Sequence, residues 1–188
     1  MTRSTRSLAP VTAGDVFALV RAGTATTRTE IGQLTGLSRT AVASRVSSLQ
    51  TLGLVVECEE GPSTGGRPPA TLTFGVDAGI VLVAAIGRSR TQLAVCDLAG
   101  ELLCTDDVEQ EIGDDPDELM PLVAARLGAL RETLGPDRPG TVGIGVALPG
   151  TVDVDRGCSL HSPTTAGWDG VPLRPYFAGL GDVPFFVD

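Results

Sequence analysis

Residues 27–53 read TRTEIGQLTGLSRTAVASRVSSLQTLG and contain two helical patterns separated by the tripeptide GLS. Thr27 is followed three residues later by Glu30, the capping-box spacing that starts a helix, and Ser38 is a favourable N-cap for the next helix. Gly36 permits the left-handed backbone that a tight turn between two helices requires. The stretch therefore predicts two short helices joined by a tight turn, which is a helix-turn-helix.

A further helical pattern lies upstream of this stretch. Thr12 precedes Asp15 at the same capping-box spacing, and Gly23 follows the last apolar residue of the pattern. The apolar residues that recur at i, i+3 and i+4 are Val16, Leu19 and Val20 in the first helix, Ile31 and Leu34 in the second, and Val42, Val46 and Leu49 in the third. The sequence thus predicts three helices, each with one face directed at a shared core.

Two β-prone segments follow the third helix, which is predicted to end at Gly53. Residues 54–58 and 70–74 are rich in Val, Leu and Thr, and they flank the segment GPSTGGRPP at 61–69. This pattern indicates a two-stranded wing, with Arg67 as an arginine of the kind that enters a narrow minor groove. A plain linker is the alternative for the Gly/Pro-rich segment.

The second helix of a helix-turn-helix enters the major groove of DNA, so the start of the third helix of this chain is the predicted recognition surface. Arginine pairs in bidentate fashion with guanine, worth about 1–3 kcal/mol of discrimination, and hydroxyl groups reach phosphates. The predicted DNA contacts are Ser38, Arg39, Thr40, Ser44, Arg45 and, in the wing, Arg67. Each arginine taken singly is as compatible with a solvated surface charge as with a DNA contact. The three helices are likewise compatible with an ordinary helical subdomain. The joint order of the elements favours DNA binding.

Charge is divided unevenly along a chain whose net charge is −9. Residues 1–70 contain seven arginines and five acids, whereas residues 71–188 contain seven arginines and 18 acids, giving net charges of +2 and −11. A modest basic bias is enough for a small DNA-binding domain whose charges share one face. The asymmetry predicts two units with different partners.

Composition and cysteine spacing narrow the class of protein. The 188 residues, 42% of them hydrophobic, suffice for a small domain and part of a larger one. The chain has no run of 18 apolar residues and no apolar signal-peptide core near residue 1, which predicts a cytoplasmic protein without a membrane span. The four cysteines Cys58, Cys96, Cys104 and Cys158 lack a C-x-x-C spacing, so we expect buried reduced thiols rather than a zinc site or disulfides.

The acidic part of the chain has a mixed pattern of strands and one helix. Residues 80–86, 93–97 and those around 102–103 are apolar runs joined by turns, which predicts a β-meander. A helix is predicted from Pro116 to about residue 134, and a buried strand at 142–148. The predicted apolar face of that helix consists of Leu119, Leu122, Val123, Leu127 and Leu130. This order of elements indicates an α/β domain.

The sequence resembles the ROK family (repressor, open reading frame, kinase). The segments that carry the resemblance are GIGVALPGTVD at 143–153, SPTTAGWDGVPL at 162–173, and LSRTAV at 37–42 with LGLV at 52–55. The resemblance implies an actin-like, hexokinase-like sugar-binding domain, and for the repressors of the family it implies oligomers that bind DNA and respond to a sugar. The residues that it implies near the sugar are Gly150, Thr164, Trp168 and Asp169.

The chain departs from the kinase members of the family at the positions that carry catalysis. Kinases have an acid in a D-x-G-x-T pattern at the first strand and turn, where this chain has Ala85. The family's catalytic base lies in an Asn-Asp segment just after a strand that resembles residues 183–188, and its E-x-G-H segment, zinc cluster and second ATP-binding lobe lie further on. We therefore expect no catalytic residue in this chain.

Other positions argue against a metal or cofactor. His161, the single histidine, lies outside any metal motif and is expected to be a surface or hydrogen-bonding loop residue. Thr164 stands where the family usually has Asn, and Gly143 and Gly145 lack the third glycine of a dinucleotide fingerprint. No cofactor and no metal are expected.

The sequence therefore predicts an α+β protein with two domains. Residues 1–75 are expected to form a winged helix-turn-helix, and residues 76–188 the first part of an actin-like, ribonuclease H-like domain that senses a sugar or sugar phosphate. The expected function is a repressor of carbohydrate-related genes that binds a double-stranded DNA operator as a homodimer or higher oligomer, without kinase activity. A ROK-type sugar kinase that phosphorylates a hexose with ATP is the alternative. A third possibility is that the chain is a shortened form of a longer protein.

Overall fold

A computed structural model describes residues 11–58, 70–109, 115–160 and 167–188. The chain divides into two compact units, Met1–Ala78 and Gly79–Asp188. Within the described residues, no helix is long and apolar enough to cross a membrane.

The N-terminal unit consists of three helices followed by a two-stranded antiparallel sheet. The helices are α1 (Ala13–Arg21), α2 (Arg28–Thr35) and α3 (Arg39–Thr51), and the strands are β1 (Val55–Cys58) and β2 (Thr71–Phe74). Val55 pairs with Phe74 at one end of the sheet and Cys58 with Thr71 at the other. The three predicted helices and both predicted strands are therefore present.

Local side-chain caps start the helices where the sequence predicts. Complete capping boxes join Thr12 to Asp15 and Thr27 to Glu30, and Gly36 ends α2 in the left-handed conformation at φ +71°. The hydrogen bond from the backbone N–H of Thr26 to the Glu30 carboxylate is the largest cause that holds the pKa of Glu30 below its ordinary value of 4.5. An acidic residue in the first turn also complements the helix dipole, so the caps favour each helix independently of packing.

One apolar cluster fills the N-terminal unit. Its buried residues are Val16, Val20, Ala25, Ile31, Val42, Val46, Leu49, Val55 and Leu72. Leu19 is half-buried against this cluster, and the rings of Phe17 and Phe74 meet edge to face with centroids 5.5 Å apart. The prediction for Leu34 is wrong, because its side chain is 57% exposed. At about 100° per residue, Leu34 lies on the side of Ile31 away from the half-buried Thr35.

The C-terminal unit is built on a five-stranded mixed sheet with the strand order β5-β4-β3-β6-β9. Its strands are β3 (Ile80–Ile86), β4 (Arg90–Asp97), β5 (Leu102–Glu109), β6 (Thr141–Ala147) and β9 (Phe185–Val187), and a small hairpin is formed by β7 (Thr151–Asp153) and β8 (Cys158–Leu160). Strand β4 is antiparallel to β3 and β5, whereas β6 is parallel to β3 and β9. Strands β4 and β5 are longer than predicted because they pair with each other out to Arg90 and Glu109.

Helix α4 (Pro116–Glu132) and a 3₁₀ helix at Arg174–Leu180 contribute to the core of this unit. Helix α4 buries Leu119, Met120, Val123, Ala124 and Leu127. The prediction for Leu122 is wrong, since its side chain is 46% exposed and lies about 200° around the helix axis from Met120. The prediction of buried thiols holds for Cys96 and Cys158, but Cys104 is only half-buried and Cys58 is exposed on β1.

Candidate nucleic-acid interface

Helix α3 presents one continuous exposed face made mainly of short side chains. The exposed residues along it are Arg39, Thr40, Ala43, Ser44, Ser47, Ser48 and Thr51. The opposite face buries Val42, Val46 and Leu49, so the core fixes which side of the helix faces solvent. Short side chains allow another surface to approach the helix backbone closely. Ser47 and Ser48 were not among the residues predicted to contact DNA, although both follow Ser44 at helical spacing.

The first three residues of the predicted recognition segment have different roles in the structure. Ser38 is the N-cap of α3, and its Oγ accepts a hydrogen bond from the backbone N–H of Ala41 at 3.2 Å. The side chains of Arg39 and Thr40 are exposed and form no hydrogen bond or ion pair with other described residues. The polar groups of Arg39 and Thr40 thus have no partner among the described residues, whereas the Ser38 oxygen caps α3 and keeps its O–H proton for donation.

The structure does not place Arg45 with the outward-facing residues. Its side chain is half-buried, Nε donates to the carbonyl of Val11 at 2.9 Å, and Nη1 donates to the carbonyl of Ala41 at 3.1 Å. The expectation of an outward guanidinium at this position is wrong, because two backbone carbonyls turn it towards the segment before α1. Arg67, the predicted arginine of the wing, lies outside the described residues.

A cleft of about 420 Å³ lies between α2 and α3. It is lined by Arg28, Thr29, Gly32, Gln33, Leu37, Arg39 and Val42. Thr29 and Gln33 are exposed polar residues one helical turn apart on α2, and sequence reasoning did not select them. Their i, i+4 spacing on the helix before the turn was the available signal.

Arg28 is held at the edge of this cleft by an ion pair. Its Nη1 and Nη2 donate to Oε1 and Oε2 of Glu57 at 3.1 and 3.0 Å, and Gln50 donates to the same carboxylate at 3.1 Å. The group connects α2, α3 and β1. It fixes the guanidinium in place and balances its charge.

The structure does not bring the predicted sugar-side residues together into one site among the residues that it describes. Gly150 lies in the turn after β6 with φ +113°, Asp169 is exposed, and Trp168 is only 2% exposed within the core. The ring of Trp168 is covered by core residues, and the ligand contact expected of it stays a prediction. Thr164 and His161 lie outside the described residues.

A buried hydroxyl lies next to these residues in β8. Ser159 forms a β-bridge with Asp169, its side chain is 2% exposed, and its Oγ has no hydrogen-bond partner among the described residues. Ser159 was not predicted from the sequence, since a serine in a short strand carries no pattern of its own.

Ala85, where the resemblance to the ROK family leads us to expect the acid of the kinases, lies near the carboxyl end of β3, which is parallel to β6. Ala85 pairs with Ala147 of β6, and the backbone of Asp188 bonds to Val146 and Leu148 at the same edge. Ligands of open α/β sheets bind at this edge. Ala85 supplies a methyl group there, which can neither hold a metal nor accept a proton.

Comparisons with known proteins find relatives that match most of the chain. No family model matches the sequence. The chain is 27% identical over 161 residues to a protein described as the xylose repressor of Caldicellulosiruptor bescii. The matched region covers 86% of this chain and 40% of that protein. It is 26% identical over 162 residues to the xylose repressor of Bacillus subtilis, covering 86% and 41%. A solved ROK family transcriptional regulator, described as a homologue of the E. coli MLC protein, shares 20% identity at a TM-score of 0.76 over 93% of this chain and 44% of that one. The chain resembles a ROK-family regulator.

The ROK resemblance extends across both units. A match of 161 residues is longer than Met1–Ala78 and longer than Gly79–Asp188. The match must therefore include parts of both units. The chain spans about 40% of the length of the curated relatives that it matches. Over 93% of this chain, the mixed α and β fold is similar to that of the solved ROK family regulator.

Proposed function

We propose that this chain is a DNA-binding transcriptional repressor of ROK type that responds to a sugar. In this proposal, residues 1–75 form a winged helix-turn-helix and residues 76–188 belong to an actin-like, ribonuclease H-like sugar-sensing domain. The observation that carries it is the exposed face of α3, whose Arg39 and Thr40 have no partner among the described residues. Similarity to two xylose repressors over both units supports it.

The geometry of α3 fits insertion into a major groove. The helix has 13 residues, its buried side anchors it to the core, and its outer side carries hydroxyl and methyl groups after one arginine. A major groove about 12 Å wide admits one helix, and such groups contact base edges and phosphates. A homodimer would place two copies of α3 about 34–36 Å apart on a pseudo-palindromic operator.

The decisive experiment is selection of duplexes from a random pool with the 188-residue chain, followed by fluorescence anisotropy on the enriched duplex. Ala43→Glu adds a carboxylate to the exposed face of α3, and Ala18→Glu makes the same change on exposed α1. Because a negative charge against phosphates costs several kcal/mol, we expect Ala43→Glu to weaken binding at least about tenfold, or about 1.4 kcal/mol. Ala18→Glu should leave binding within about twofold. Failure to enrich any sequence, or equal effects of the two variants, would overturn the proposal.

The effector is tested in the same assay. The relatives are described as xylose repressors, so D-xylose is the first sugar to add, with D-glucose and their phosphates as the comparison. We expect one of these sugars to lower the affinity for the enriched duplex, and no effect of any would contradict the sensing role. The alternative, a sugar kinase, predicts ADP release with ATP, Mg²⁺ and a hexose, which Ala85 argues against.

A further inference from the structure

The cleft between α2 and α3 combines an apolar floor with a polar rim. Gly32, Leu37 and Val42 contribute apolar surface, while two guanidiniums, an amide and a hydroxyl come from Arg28, Arg39, Gln33 and Thr29. At about 420 Å³, it holds a group much larger than a water molecule. The described residues that line it all belong to the N-terminal unit.

Three of the polar side chains in the cleft have nothing to bind within the described part of the chain. Thr29, Gln33 and Arg39 are exposed and form no hydrogen bond or ion pair with any described residue. Arg28 differs, because the Glu57 carboxylate holds it in a fixed position. The cleft therefore offers one uncompensated positive charge and two neutral hydrogen-bonding groups around an apolar centre.

An occupant must match this mixture of charge and apolar surface. A backbone phosphate with its attached deoxyribose does so, because the phosphate oxygens accept from guanidinium, amide and hydroxyl donors and the sugar ring covers apolar surface. A base edge does not, since it carries no charge and is read by side chains that project from the helix.

We propose that this cleft seats one backbone phosphate of bound DNA, so that Thr29, Gln33 and Arg39 position the protein without reading sequence. This inference rests on the proposed DNA-binding function and assigns a different role to Arg39 from the guanine contact expected of it in the sequence. Discrimination between bases then falls to other exposed residues of α3, among them Thr40, Ala43 and Ser44.

The salt dependence of binding separates phosphate contacts from base contacts. The full chain is titrated with its enriched duplex and with an unrelated duplex of equal length, over a series of salt concentrations. One phosphate neutralised by one arginine contributes a slope of about 0.9 in log K against log [salt]. We expect Arg39→Gln to lower the slope by about that amount on both duplexes and to leave the ratio of the two affinities within about twofold.

Gln33→Ala and Thr29→Ala test the neutral groups of the cleft. Each should weaken binding to both duplexes by the same factor with the salt slope unchanged, because no charge is removed. The matched control for the charge is Arg21→Gln, which removes an exposed arginine from α1 outside the cleft and should leave slope and affinities as they are. Thermal unfolding of each variant shows that the comparison is made between folded proteins.

The outcomes distinguish this inference from the function on which it rests. If the parent chain binds no duplex selectively, the proposed function itself fails. If it binds selectively but Arg39→Gln weakens only the enriched duplex, Arg39 reads a base and the cleft proposal is overturned. Equal effects of Arg39→Gln and Arg21→Gln would show dependence on overall charge alone, and unchanged binding in all three cleft variants would show an unused cleft. Either result overturns the inference.

Discussion

Arg28 and Glu57 form a bidentate ion pair between the start of α2 and strand β1, with Nη1–Oε1 and Nη2–Oε2 distances of 3.1 and 3.0 Å. The residues are 29 positions apart in the chain, so the pair connects elements that nothing local brings together. Gln50 of α3 donates to the same carboxylate at 3.1 Å. Three elements of the N-terminal unit therefore share one carboxylate.

Removing either partner of this pair should loosen β1 and α2 together. Because the side chains are 37% and 34% exposed, solvent screens the pair, and we expect a coupling energy of about 1 kcal/mol or less between Arg28→Gln and Glu57→Gln. A double-mutant cycle from urea unfolding measures it. The control is the more exposed pair Arg90–Asp107, with N–O 3.6 Å and exposures of 57% and 52%, where no measurable coupling is expected. Equal coupling in the two pairs would contradict the role of the bidentate geometry.

Arg45→Ala should lower stability rather than act on DNA directly. The variant loses two charge-assisted hydrogen bonds to the carbonyls of Val11 and Ala41. A hydrogen bond to a charged group contributes about 1.5–3 kcal/mol to the free energy of unfolding. Arg39→Ala, an exposed arginine on the same helix, should change the free energy of unfolding by less than about 0.5 kcal/mol. Chemical denaturation of both variants tests this. A neutral effect of Arg45→Ala on stability, with loss of DNA binding, would restore the outward role.

Gly75→Ala should disrupt the base of the two-stranded sheet. A Cβ at Gly75 would lie 1.9 Å from the carbonyl oxygen of Gly53, so the backbone would have to move. We expect a loss of about 2–3 kcal/mol. Gly14→Ala is the control in the same unit, since its Cβ would meet nothing closer than 3.5 Å and would favour α1 by up to about 1 kcal/mol. If thermal unfolding shifts the melting temperatures of both variants in the same direction from that of the parent, this account is refuted.

Tyr176, the single tyrosine of the chain, should titrate at unusually high pH. Its hydroxyl donates to Asp117 of α4, and this hydrogen bond is the main cause that raises the pKa of Tyr176 to about 12 from 10.0. The ionisation is followed by absorbance near the phenolate band. Because the folded-state pKa is raised, the stability that the bond contributes is complete below pH 10.0 and is lost as pH rises towards about 12.

Asp117→Asn should return that titration towards pH 10.0, since the carboxylate that favours the protonated phenol is gone. Asp137→Asn, which removes an exposed carboxylate after α4, should leave it unchanged. A parent midpoint near 10.0 would show that the hydrogen bond does not persist in solution.

The helix starts were predictable because capping acts over three or four residues. Thr12 with Asp15 and Thr27 with Glu30 complete their boxes within the same turn, and the glycine at 36 supplies the left-handed end of α2. Strand β3 was equally predictable from the sequence, since a buried run of apolar residues between turns defines both of its ends.

Side-chain roles within those helices were less predictable. Leu34 and Leu122 follow the apolar spacing but are exposed, because which part of a helical stripe is covered depends on the elements packed against it. Trp168 matches a segment of the ROK resemblance, yet it is buried in the core of the C-terminal unit. A motif specifies the residue type and leaves its surroundings to the fold.

By itself the sequence determined the order of the three N-terminal helices and their two strands, the helix caps and the division of charge, since these depend on neighbours in the chain and on composition. Only the tertiary structure decided that Arg45 turns inward to Val11, that Glu57 fixes Arg28, and that α2 and α3 enclose a cleft. The contacts of Arg45 and Glu57 join residues 34 and 29 positions apart. Contacts at such separations form only when packing of the apolar faces brings the elements together, and no local pattern records them.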